Sequence, residues 1–153
     1  MDVKLINPFI DATLNVLETM AFVKAEAGEP YLKRDSVASG DVTGILGLIG
    51  EASGTISVSF TDKCILPIVS SMFGEKIVEM NDDIKDAVGE ITNMISGQAR
   101  KKLDELGRSL QAAIPTVIMG KNHSINHMTS TEVVAIPFDT ENGKFTIEVC
   151  FEE

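Results

Sequence analysis

The feature that most restricts how this chain folds is an order of elements that occurs twice. Residues 42–49 and 55–60 are strand-like runs flanking Gly50-Glu51-Ala52-Ser53-Gly54, and two such runs around a short glycine-bearing connection read as a hairpin. Residues 132–138 and 144–151 flank Asp139-Thr140-Glu141-Asn142-Gly143 in the same way. Before each hairpin comes a long helical stretch, then a strand-like run (22–27 or 114–120) and an irregular connection, with residues 31–41 a mixed loop or short edge segment. In the first helix, 8–21, Asn7 is placed to cap and Pro8 to occupy the first turn, while Phe9, Ala12, Val16, Leu17 and Met20 supply apolar surface, with Leu14 on its flank. The second begins after a capping Asn81, with Asp82 and Asp83 in its first turn, and reaches about Leu106 before Gly107 stops it. At 100° per residue its Ile84, Val88, Ile91, Ile95 and Ala99 share one face, joined later by Leu106.

A shorter helix, 62–72, connects the halves, capped by Thr61 or Asp62, interrupted by Pro67 and ended by Gly74. The two long helices share a fragment: Asp11-Ala12-x-x-Asn15-x-x-Glu18 against Asp86-Ala87-x-x-Glu90-x-x-Asn93. Residues 55–60 alternate, with Ile56, Val58 and Phe60 on one side and Thr55, Ser57 and Ser59 on the other, the pattern of a sheet with one buried face. The expected fold is α+β: a pseudo-twofold repeat of helix, strand and hairpin. About six mainly antiparallel strands carry both long helices on one face. The sheet's other face is then polar, or covered by the short helix or a partner.

With 153 residues the chain suits one domain with a real core. Its formal charge of −10 disfavours nucleic acid, where clustered Lys and Arg must neutralise phosphates, and disfavours anionic membrane surfaces. No apolar run approaches the roughly 20 residues of a membrane span, and residues 1–8 lack a secretory pattern. Cys64 and Cys150 lie far apart without metal-type spacing, the pattern of two buried thiols in a reduced protein. The expected location is the cytoplasm.

Conventional catalysts are poorly represented. His123 and His127 stand i, i+4 but among Asn, Ser and Thr, with no Glu-rich helix to complete a metal site. Cys64 has Lys63 beside it, yet Ile65 and Leu66 fit a core position better than that of an activated nucleophile. Cys150 alternates inside a strand. Thr43-Gly44-Ile45-Leu46-Gly47 has glycines but no helix opening after it to cradle phosphate. What remains is the polar face of the second long helix: Asp86, Glu90, Asn93 and Gly97. Glu90 and Asn93, at i, i+3, point at one target together. Gly97, a turn later, removes a side chain that would obstruct an incoming surface. Asn and Gly inside a helix cost about 0.5–1 kcal/mol each against Ala, so something other than helix stability selects this face.

The set Asp86-x-x-x-Glu90-x-x-Asn93, followed after 21 residues by Pro115, resembles the signature of the CheC/CheX/FliY chemotaxis phosphatases. The repeated two-helix, two-hairpin order is similar to that family's fold over nearly the whole chain, 1–153, read as a single domain. Members of the CheC kind carry the Glu-x-x-Asn pair on both long helices. Here Asn15-x-x-Glu18 reverses it, and one site on the second helix looks like the CheX kind. The resemblance implies hydrolysis of the aspartyl phosphate of a CheY-type response regulator. Asn93 would orient the attacking water and Glu90 would pair with the regulator's Lys. Asp86 and Gly97 would serve partner binding, Asp86 by a contact or by supporting the helix, and Pro115 would be structural. It implies no cofactor bound by this chain, with Mg²⁺ brought by the regulator, and a homodimer, for which the apolar run 133–138 offers a strand needing a covered edge. The alternatives are a non-catalytic binding module or adaptor for a response regulator, and a structural oligomer assembled through the same helix face.

Overall fold

A computed structural model describes residues 3–33, 40–51, 53–120, 123 and 132–152. Helix α1 spans Val3–Ala21, and two short strands, β1 (Ala25–Ala27) and β2 (Tyr31–Lys33), follow it. The hairpin β3 (Val42–Gly50) and β4 (Ser53–Phe60) leads into α2 (Asp62–Phe73) and α3 (Asp82–Glu105). Then come β5 (Leu110–Ala112), β6 (Thr116–Met119) and the hairpin β7 (Val133–Thr140) and β8 (Gly143–Glu152).

The expected repeat is present, and its halves interlock. The hairpins join through β4 and β8, which pair antiparallel from Ser53↔Glu152 to Phe60↔Phe145. β1 and β2, from the first half, both line the free side of β7 in the second. β5 and β6, from the second half, both line the free side of β3 in the first. Eight strands thus fill six positions across one antiparallel sheet. The exchange also supplies the covered edge that the apolar run 133–138 needs, since β1 and β2 lie against it, so this run gives no reason for a dimer.

Alternation sorts the two faces of the sheet. Leu46, Leu48, Ile56, Val58, Phe60, Ile136, Phe138, Phe145, Ile147 and Val149 are buried on the helical side. Phe138 stacks on Phe145 with centroids 4.8 Å apart, and Phe9 of α1 meets Phe151 of β8 at 5.8 Å. Burying each such side chain contributes about 1.5–3 kcal/mol. The opposite face is polar, and it is buried too: Thr43, Thr55, Ser57, Ser59, Thr146 and Glu148 are at most 7% exposed. There Lys33 Nζ donates to Glu148 Oε2 at 2.7 Å within a buried ion pair. Thr43 Oγ1 bonds to Ser59 Oγ and to His123 Nε2, and His123 Nδ1 donates to the Gly120 carbonyl. So His123 is spent on covering the sheet. His127 lies outside the described residues.

Several boundaries differ from expectation. α1 begins before Asn7 and carries Pro8 inside it. Leu5 and Ile6 are buried with Phe9, Ala12, Val16 and Leu17, and this longer apolar stripe draws residues ahead of Pro8 into the helix although the ring removes one N–H donor. Met20 is partly exposed and Phe22 is not in a strand; it has φ 56° and is 83% exposed. β5 is an additional strand, and β6 starts at Thr116 rather than at residue 114. Leu103, not Leu106, completes the buried stripe of α3; Leu106 is exposed. Thr61 caps α2 and Gly74, in the left-handed region, ends it.

Candidate functional site

α3 is fixed at both ends by its own sequence. Asn81 Oδ1 accepts from Asp83 N at 3.0 Å and from Ile84 N at 3.2 Å, and Asp82 and Asp83 meet the positive end of the helix dipole. At the other end Gly107 N–H donates to the Asp104 carbonyl and Arg108 N–H to that of Leu103. This paired closure needs a left-handed residue, supplied by Gly107 at φ 85°. Between the ends, Ile84, Ala87, Val88, Ile91, Thr92, Ile95, Ser96, Ala99 and Leu103 are buried. Thr92 sits directly over Gly44 of β3, where any side chain would collide with it. That close approach sets the depth of the helix on the sheet and its rotation about its own axis.

Rotation decides what faces outward. Asp86, Glu90 and Asn93 are exposed along one stripe and Gly97, half-buried, continues it. All four residues singled out in the sequence therefore share a surface. Neither Glu90 nor Asn93 makes a side-chain hydrogen bond or ion pair to any described residue. A carboxylate and a carboxamide about 4.5 Å apart along the axis are left free to meet something external. A Cβ placed on Gly97 would find nothing within 4 Å, so the fold itself does not require glycine there.

The counterpart stripe on α1 is different. Asp11, Asn15 and Glu18 are exposed, but Asn15 Nδ2 donates to Gln98 Oε1 of α3 at 2.8 Å. Pro8, Asp11, Ala12, Asn15, Gln98 and Lys102 line a cleft of about 240 Å³ between the two helices. By the shared fragment, the position matching Gly97 is Phe22, which stands out from the end of α1. On α1, therefore, the Asn15 amide is engaged by a neighbouring helix and an exposed aromatic ring follows the helix end. Phe22 is the residue that sequence reasoning missed, although extending the repeat by four positions would have found it.

The other candidates carry no chemistry. Cys64 and Cys150 are both buried, and they are not joined in a disulfide. Burial pushes the Cys64 thiol up to about 11, against a smaller opposing effect of its contact with Thr140, so it remains protonated and unreactive near neutrality. No three His, Cys, Asp or Glu side chains among the described residues gather into a metal-binding group. Among them too, no helix is long and apolar enough to cross a membrane.

Residues 42–139 match the pattern of the chemotaxis phosphatase CheX family. The chain belongs to that family. It is accordingly a phosphatase, and the matched segment includes the whole of α3. It is 50% identical to a chemotaxis protein CheX from Desulfovibrio desulfuricans whose crystal structure is known, with a TM-score of 0.91 over 97% of this chain and 99% of that one. The CheY-P phosphatase CheX of Thermotoga maritima is 25% identical over 126 residues, 82% of this chain and 81% of the relative. A chain in the crystal structure of a CheX–CheY–BeF₃–Mg²⁺ complex from Borrelia burgdorferi aligns at a TM-score of 0.83 and 25% identity, covering 97% of each chain.

Proposed function

We propose that this CheX-family phosphatase hydrolyses the aspartyl phosphate of a CheY-type response regulator by presenting Glu90 and Asn93 of α3 to the regulator's active site. The observation that carries this reading is that both side chains are exposed and bond to no described residue. The names of the relatives support the substrate class: one is a CheY-P phosphatase and another is in complex with CheY and Mg²⁺.

The chemistry asks little of this chain. An acyl phosphate is already activated, and the regulator brings its own Mg²⁺ and Lys. A water oxygen attacks phosphorus in line with the bond to the aspartyl oxygen. That bond breaks, the regulator's carboxylate leaves with the electron pair, and the water proton goes to the departing phosphate. The Asn93 carboxamide holds the water in line, accepting with its oxygen and donating with its NH₂. This is positioning, the main source of catalysis where the transition state is loose. Glu90 pairs with the regulator's Lys and fixes the register of docking. Asp86 flanks the pair one turn earlier, and the space at Gly97 admits the regulator's surface. The test mixes the protein with phosphorylated regulator and Mg²⁺ and follows phosphate release. Wild-type rates in both Glu90→Ala and Asn93→Ala would show that the pair is not the site.

A further inference from the structure

The stripe on α3 has an apolar neighbour that the reaction above does not use. β5 ends at Ala112 and β6 starts at Thr116, so Ala113, Ile114 and Pro115 form the connection. Its level along α3 follows from contacts that fix the two elements on β3. Thr92 rests on Gly44, and a Cβ on Gly89 would lie 3.5 Å from Val117 Cγ2, while Val117 is itself the register partner of Gly44. At the far end, α3 turns through Gly107 into β5, where Leu110 pairs with Gly50. α3 and β3 therefore run the same way. Ala113 N–H donates to the Gly47 carbonyl at 3.0 Å, three residues or about 10 Å along β3 from Gly44. The helix covers that length in about seven residues. The connection thus stands level with about residues 96–99, flanked by Asn93 and Arg100. Gly89, Asn93, Ser96 and Arg100 lie on one helical row, and Gly89 shows that this row faces β6.

Ile114 is 89% exposed. It buries almost nothing in its own fold. Pro115, half-buried, restricts the residue before it to extended conformations, so Ile114 is held out in a defined direction. Solvated polar groups such as Glu90 gain little net free energy on pairing; docking surfaces draw most of theirs from a few apolar anchors that become fully dry.

We infer that Ile114 is the apolar anchor against which the phosphorylated regulator docks, positioned beside Asn93 by Pro115. The inference rests on the α3 reading above. It also gives the signature proline a purpose beyond starting a strand: it aims its neighbour.

The experiment is steady-state dephosphorylation of a CheY-type regulator charged with acetyl phosphate in Mg²⁺, with thermal unfolding of each variant alongside. Ile114→Ser is expected to raise KM about tenfold, equivalent to removing one modest anchor, with kcat within about twofold of wild type and an unchanged unfolding midpoint. Ile114→Val should restore most of the KM, and Pro115→Ala should raise it by an intermediate factor. An unchanged KM in Ile114→Ser overturns the inference. So does a loss of kcat accompanied by a lower unfolding midpoint, which would make Ile114 a structural residue. Asn93→Ala separates the two readings. If it loses turnover while Ile114→Ser does not change KM, only the anchor fails. If it keeps full turnover, the α3 site itself fails.

Discussion

Asn93 and Glu90 are neighbours on one helix, yet their loss should be read in different constants. On the proposed mechanism, removing the Asn93 carboxamide with Asn93→Ala is expected to lower kcat by about a hundredfold or more, the range seen when one preorganised polar group is deleted from a transition state. Asn93→Asp should be at least as damaging, because a carboxylate has no donor and repels the phosphoryl oxygens. Glu90→Ala, by contrast, should act mainly on KM, measured by varying phosphorylated regulator at fixed enzyme. Gly97→Ala separates stability from function: α3 should gain about 0.5–1 kcal/mol in denaturant unfolding, because nothing in the fold resists the methyl group, while KM rises as the approaching surface is obstructed. A third residue-scale expectation concerns Cys64. Its folded thiol is raised from 9.0 to about 11 by burial, so the folded state binds that proton more tightly than the unfolded state. The associated stability is intact below about pH 9 and falls between pH 9 and 11, by on the order of 2–3 kcal/mol. Comparing unfolding free energies of wild type and Cys64→Ala across that window isolates the contribution, and parallel pH profiles would refute it.

At the level of elements, the two long helices share one framework but differ in how their outward stripes are bonded. Both present an acidic residue and then a Glu and an Asn on the outside. On α1 the amide is bonded to Gln98 and Phe22 is exposed just past the helix end. Asn15→Ala should therefore leave kcat and KM for phosphorylated regulator close to wild type, while Gln98 loses its partner at a cost of about 0.5–1.5 kcal/mol. A turnover defect as large as that of Asn93→Ala would show that both helices work. The sequence carried much of this: caps Asn81 and Thr61, the stop at Gly107 and the alternation in β4 are local signals, and local chemistry enforces them. It was least informative at the start of α1, where the burial of Leu5 and Ile6 overrides the helix-start signal of Asn7-Pro8. It was equally weak for β5, a three-residue strand whose only reason to be extended is the free side of β3.

Across the whole molecule, the halves are held together by exchange. Each half's short strands complete the other half's hairpin, so neither half has a finished sheet alone. The buried polar face adds a second long-range tie. Lys33 of β2 and Glu148 of β8 pair at 2.7 Å with side chains only 6% and 2% exposed. Lys33→Met, which removes the ion pair, should lower stability by about 3 kcal/mol in denaturant titration, without altering kcat, since neither residue borders α3. A stability change below about 1 kcal/mol would show that the pair contributes no more than a surface bridge.

By itself the sequence determined the repeat, the class of fold and the identity of the outward stripe on α3, because helical and strand periodicities and capping residues act over a few positions. The tertiary structure decided which stripe bonds to its own neighbours. That Asn15 is taken by Gln98 while Asn93 bonds to no described residue depends on how α1 and α3 pack. Where the Ala113–Pro115 connection lies along α3 depends on the pairing of β5 and β6 with β3, since contacts between residues far apart in the chain leave no local pattern to read.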